Sequence, residues 1–201
     1  MRNPILKKAS RFILFFSLFI ALIACGTDYF PKPRAYFRID LPPKSYRHLD
    51  SIYPFTFDYP VYASISQDKN SPNEQNWINI NFDEFKGSLH LSYKRVDGNL
   101  VKYMEDCRSL AFKHIPKASA IDNRLIMNEK SKVFGLIYEI SGSGAASPYQ
   151  FFVTDSLDHF LRGALYFNMV PNNDSMAPVI DFLKQDIERL IESIKWKEIK
   201  R

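Results

Sequence analysis

Cysteine is scarce in this chain of 201 residues: there are two, Cys25 and Cys107. The fate of the first decides what the second can do. A long hydrophobic run is also missing. The uncharged stretch Phe12–Ala24 would be roughly 20 Å long as a helix, short of the ~30 Å hydrocarbon core of a bilayer. Acidic residues are absent from residues 1–24. Their basic head (Arg2, Lys7, Lys8, Arg11), short apolar run and small-residue end make a secretory signal rather than a membrane span. That segment holds four of the 27 basic residues and none of the 22 acids, so the chain beyond it carries 23 against 22. The sequence pI of about 9.1 is therefore mostly a property of the signal. It gives no reason to expect nucleic-acid binding, which needs a basic patch on the folded domain.

The signal ends in Leu22-Ile23-Ala24-Cys25. This is similar to the bacterial lipobox, in which an aliphatic, a variable and a small residue precede the cysteine. The resemblance implies a diacylglycerol thioether on Cys25, cleavage before it, and acylation (palmitate) of the new amino terminus. Small residues suit a protease cleft, and thioether chemistry needs a soft nucleophile. The alternative is an ordinary signal peptide or uncleaved anchor with an incidental Cys25. Once Cys25 is lipidated, Cys107 has no partner. A lone envelope thiol forms no internal disulfide, and cysteine-ligated metal sites are excluded. No acidic run follows Cys25 (Gly26, Thr27, Asp28), so there is no sign of export to the cell surface.

Residues 1–24 are thus expected as signal, 25–50 as a lipidated, proline-rich tether, and 51–201 as a single domain. One domain of this size can bury about two-thirds of its unfolded surface, and 15% aromatic residues set it against disorder. In the tether, Pro31, Pro33, Pro42 and Pro43 forbid a helix. Tyr36–Leu41 alternates, with Phe37, Ile39 and Leu41 on one side, which predicts an edge strand.

Alternation also predicts strands at Phe55–Tyr59, at Val61–Ser66, and as a hairpin of Trp77–Phe82 with the Leu89–Tyr93 segment. Asp97-Gly98-Asn99 opens a helix whose apolar stripe is Leu100, Tyr103, Met104, Cys107, Leu110, Ala111 and His114; Pro116 ends it. Strands are predicted again at Ala120–Met127, Val133–Ile140, Tyr149–Thr154 and Phe160–Met169. A last helix spans about Met176–Lys195, with Pro178 in its first turn. The order argues an α+β domain, a mainly antiparallel sheet with two helices packed on it. The layout is similar to the PsbP/Mog1-type sandwich, in which a long helix follows early strands and a C-terminal helix closes the domain.

Catalytic constellations are absent from the pattern. Gly142-Ser143-Gly144 lacks the spacing of a nucleophile elbow and the Lys-Ser/Thr ending of a phosphate loop; it reads as a flexible hairpin loop. His48, His90, His114 and His159 form no i, i+4 pair. His90 is expected to face solvent and His114 a helix end. Asp83-Glu84 reads as a solvated turn and residues 195–201 as a solvated basic tail. No cofactor, metal or catalytic residue is expected.

The distinctive segment beyond the signal is Tyr29–Tyr46. Its aromatic and arginine content is what interfaces favour. The candidate partner-binding residues are Tyr29, Pro31, Lys32, Pro33, Arg34, Tyr36, Phe37, Arg38 and Asp40. Two readings stand: the segment pairs with a sheet edge of another protein, or it packs back on its own domain. The string from Tyr29 to Pro42, of the type Y-x-P-K-P-x-x-Y-F-R-I-D-x-P just after a lipidated cysteine, resembles the start of the gliding-motility lipoprotein GldD family of Bacteroidetes. Chain length and the ending Ser193-Ile194-Lys195-Trp196 are similar too. The resemblance implies a non-enzymatic envelope lipoprotein of the gliding and type IX secretion machinery. Its partners would be the membrane, through the N-terminal lipid, and other envelope proteins. Its place would be the periplasmic face of the outer membrane. A small-ligand or lipid-binding lipoprotein with an open apolar cavity is the alternative.

Overall fold

Two-residue alternation dominates what forms. The computed structural model describes residues 38–50 and 52–199. Its strands are β1 (Tyr46–Leu49), β2 (Phe55–Pro60), β3 (Ser64–Gln67), β4 (Ile78–Phe82), β5 (Gly87–Arg95), β6 (Ala120–Asn128), β7 (Val133–Ser141), β8 (Tyr149–Thr154), β9 (His159–Phe167) and β10 (Lys195–Trp196). The helices are α1 (Leu100–Phe112) and α2 (Asn173–Ser193). A seven-stranded antiparallel sheet runs β3-β4-β5-β9-β8-β7-β6, and a three-stranded sheet runs β1-β2-β10. The chain is therefore α+β, as the order of its elements indicates.

The alternation divides the large sheet into two faces. On one, Ile78, Ile80, Leu89, Leu91, Phe151, Leu161 and Leu165 meet Phe55 and Phe57 of β2 and the stripe Val179, Leu183, Ile187, Leu190 and Ile191 of α2. On the other, Tyr138, Ile140, Phe152 and Phe160 meet Cys107 and Ala111 of α1. The stripe of α1 is narrower than its periodicity suggests, because Met104 and Leu110 each stay 37% exposed.

Several expectations are corrected. Residues 38–45 are irregular rather than a strand. Among the described residues no strand lies beside Arg38–Leu41, and Pro42 and Pro43 offer no N–H to a ladder. Ile39 instead packs on the core. The strand forms later, at Tyr46–Leu49, where Tyr46 pairs with Pro60 and Leu49 with Phe57. The compact unit accordingly begins at Arg38, inside the stretch expected as tether. Helix α2 starts at Asn173 with no side-chain cap, so Pro178 lies beyond its first turn. It stops at Ser193, because Ile194 turns extended (ψ 133°). Lys195 and Trp196 then pair with Thr56 and Phe55. The basic tail is thus partly a strand, and its Lys197 bonds Asp50 at 2.8 Å.

Candidate functional site

Of the residues singled out in the sequence, Cys25, Tyr29, Pro31, Lys32, Pro33, Arg34, Tyr36 and Phe37 lie outside the described residues. Arg38 and Asp40 are on the surface, with side chains 91% and 89% exposed. Arg38 Nε donates to Asp40 Oδ1 at 3.2 Å. An ion pair this exposed contributes little stability.

Directly after this segment the chain is fixed to the domain by a buried carboxylate. Asp186 sits on the apolar stripe of α2 and is 1% exposed. Tyr46 Oη donates to its Oδ1 at 2.8 Å, and Tyr62 Oη donates to its Oδ2. Lys44 Nζ lies 2.7 Å from the same Oδ2 and donates to the Phe182 carbonyl at 2.7 Å. The ammonium also rests 3.3 Å from the centroid of the Phe182 ring. A buried charge survives only when paired and hydrogen-bonded, and here three donors converge on one acid. Burial lowers the Lys44 pKa and the bond to Asp186 pushes it back up. Tyr46 is raised to about 12 by burial and by Asp186. Tyr62 is raised further by the same causes. Both phenols therefore remain donors at ordinary pH. With its oxygens taken, Asp186 is a latch rather than a general base.

A second layer continues the latch. Arg189 Nη2 donates to Asp58 Oδ2 at 2.7 Å, and His48 Nδ1 lies 2.9 Å from Asp58 Oδ1. Burial opposes ionisation of Asp58, but His48 and Arg189 hold its pKa below the usual carboxylate value. Ser193 is also close. Its Oγ accepts from the Asp58 N–H at 2.7 Å and donates to the Leu190 carbonyl at 2.9 Å. Serine, histidine and aspartate thus meet, yet the hydroxyl bonds backbone groups and not the imidazole. The nucleophile–base contact of a triad is not made.

The other histidines sit in separate places. His159 is 4% exposed, between Tyr93 Oη, 2.9 Å from its Nδ1, and the Trp196 ring stacked at 4.9 Å. Burial lowers its pKa. His90 is half-buried against Tyr166 rather than facing solvent, and burial lowers its pKa too. His114 follows α1, its pKa lowered by burial and then by Arg162. The Cys107 thiol is pushed up to about 12 by burial, which makes it inert. The loop after β7 is tied rather than loose, since Asn173 Nδ2 donates to the Gly142 and Ala145 carbonyls at 2.9 Å. Among the described residues no group of three metal-ligating side chains occurs.

Open space lies at the surface. A groove of about 500 Å³ runs between β6 and α2, bordered by Arg124, Ile126, Glu188 and Ile191. Another of about 580 Å³ borders His159 and Trp196. The space between the large sheet and α2 is filled by Phe55, Phe57, Phe82, Tyr149 and Phe151, each at most 1% exposed.

The model of the family described as gliding motility lipoprotein GldD matches residues 26–196. The chain belongs to that family. The match starts at the residue after Cys25, where the lipobox ends. The chain is thus a gliding motility lipoprotein, lipid-anchored in the cell envelope. No helix among the described residues is long and apolar enough to cross a membrane. No curated protein matches the chain. Among solved structures it is similar to that of cyanobacterial PsbP (CyanoP) from Synechocystis sp. PCC 6803. The TM-score is 0.47 and the identity 9%, over 80% of this chain and 97% of that chain.

Proposed function

We propose that this lipoprotein is a non-enzymatic part of the gliding and type IX secretion machinery of a Bacteroidetes cell. It is held on the periplasmic face of the outer membrane by acyl chains, palmitate among them, on Cys25. The observation that carries the reading is the family match over residues 26–196, abutting a lipobox cysteine. Two or more acyl chains make such an anchor stable where one is marginal. The lipid supplies effective concentration at the membrane. Residues 29–40 and the faces of the domain supply recognition of other envelope proteins. The latch at Asp186 supports a scaffolding role, because it fixes the point where the anchored segment enters the domain. The filled interior counts against the small-ligand alternative, which needs an open apolar cavity. Deleting the gene in its own bacterium is expected to abolish spreading. Normal spreading without the gene would refute the reading.

A further inference from the structure

Among the described residues β6 is the long open edge of the large sheet. The other edge, β3, is four residues long and polar, one of the ways proteins blunt an edge. β6 has nine residues and no proline, and no strand lies beyond it among the described residues. Its outward groups follow from the ladder. The Ile140 N–H donates to the Pro148 carbonyl at 2.9 Å, so even-numbered residues of β7 turn their backbone groups to β8 and odd-numbered ones to β6. The β6–β7 register runs from Ala120↔Ser141 to Asn128↔Val133, so even-numbered residues of β6 bond β7. Ile121, Asn123, Leu125 and Met127 therefore turn their N–H and C=O groups out of the sheet. Their side chains lie on the α1 face, where Leu125 and Met127 are 69% and 70% exposed. Asp122, Arg124 and Ile126 lie on the α2 face, where Arg124 pairs with Glu188. Asp122 has no ion pair among the described residues.

We propose that this edge pairs with β6 of a second copy of the chain, antiparallel, with the two-fold axis at Asn123. The register is set by charge. Centred on Asn123, Asp122 stands opposite Arg124 of the other copy, twice over, and Ile121 stands opposite Leu125. Directly opposed unlike charges and apolar pairs are the units that stabilise a sheet. Moving the axis to residue 124 opposes two arginines, and moving it to residue 122 opposes two aspartates. Centring on 121 or 125 leaves Asp122 and Arg124 facing uncharged residues. A two-fold normal to the sheet also keeps both α2 helices on one side. Residues 38–45 run over that side, through Ile39 and Lys44, so both copies present the start of the domain in the same direction, as two anchors in one membrane require.

The test uses the full-length chain in its own membranes. Asn123→Cys, oxidised with copper phenanthroline, is expected to give a disulfide-linked dimer, because Cα atoms of a hydrogen-bonded antiparallel pair lie ~5.5 Å apart, within disulfide reach. Leu125→Cys is expected to give none, since the two copies of that position are on the order of 14 Å apart in this register. Adding Asp122→Arg to Asn123→Cys should cut the crosslink roughly tenfold through two like-charge pairs. Adding Arg124→Asp as well should restore it. Cys107 is buried and gives little background. Circular dichroism checks that each variant is folded. A folded Asn123→Cys that does not crosslink, equal crosslinking at both positions, or indifference to the charge changes overturns the proposal.

Discussion

Tyr46 Oη donates to Asp186 Oδ1 at 2.8 Å across 140 residues of chain, joining the first described strand to the last helix. With Lys44 and Tyr62 on the same carboxylate, this contact makes residues 44–49 part of the domain instead of part of a tether. Removing the acid would strand a partly buried ammonium and two phenols. Asp186→Ala is expected to cost about 3 kcal/mol and Tyr46→Phe about 1 kcal/mol, read from urea unfolding. A loss below about 1 kcal/mol for Asp186→Ala would mean the latch does not hold the segment.

The same cluster predicts alkaline behaviour. Tyr46 has a folded pKa of about 12 against an ordinary 10.0, so its stabilising share is complete below pH 10 and fades as pH rises from 10 toward 12. Tyr62 acts in the same sense. Lys44, whose pKa is lowered, acts oppositely and gains as pH climbs toward 10.5. Stability measured from pH 9 to 12 should fall, and Tyr46→Phe should flatten part of that fall. An unchanged slope in the variant would contradict the assignment.

On the acid side His159 contributes alongside His90 and His114, whose pKa values are lowered too. Burial holds the His159 pKa below 6.5, so the unfolded chain takes up the proton first. The share of stability that rests on the neutral ring is complete above pH 6.5 and is lost as pH falls toward the folded pKa. Because the ring stacks on Trp196, its protonation should also quench indole fluorescence. His159→Gln is expected to remove that quenching and to shallow the stability slope between pH 7 and 5. If quenching persisted in the variant, another group would be responsible.

Two glycines give contrasting expectations. A Cβ on Gly135 would lie 1.9 Å from the Phe152 carbonyl oxygen, a backbone atom of the neighbouring strand. Gly135→Ala should therefore cost more than about 3 kcal/mol or prevent folding. Gly98 has φ +69° with nothing within 4 Å, so Gly98→Ala should cost only about 1 kcal/mol through backbone strain. Equal melting temperatures for the two variants would show that the close approach is not what selects glycine at 135.

Most of the sheet was legible because buried strands write their face into the sequence: Ile78, Ile80 and Phe82, then Leu89, Leu91 and Tyr93. What failed was long-range. Tyr46–Leu49 reads Tyr-Arg-His-Leu, with no apolar alternation, and becomes a strand only because β2 lies beside it. The last helix is expected to reach about Lys195 yet ends at Ser193, because Lys195 and Trp196 pair with Thr56 and Phe55 instead. Asp186 was the missed signal within reach. An acid at the i+3 and i−4 neighbours of Leu183 and Leu190 sits in the middle of an apolar stripe, and a buried charge there demands partners. The sequence could not say that Lys44 and two tyrosines supply them.

The central claim is that the chain acts in gliding from a lipid anchor on Cys25. Its most direct test is the gliding speed of single cells in a deletion strain complemented, at equal protein level, with the natural gene or with Cys25→Ser. The natural gene should restore movement, whereas Cys25→Ser should leave the cells still. Cells that glide normally with Cys25→Ser would contradict the account.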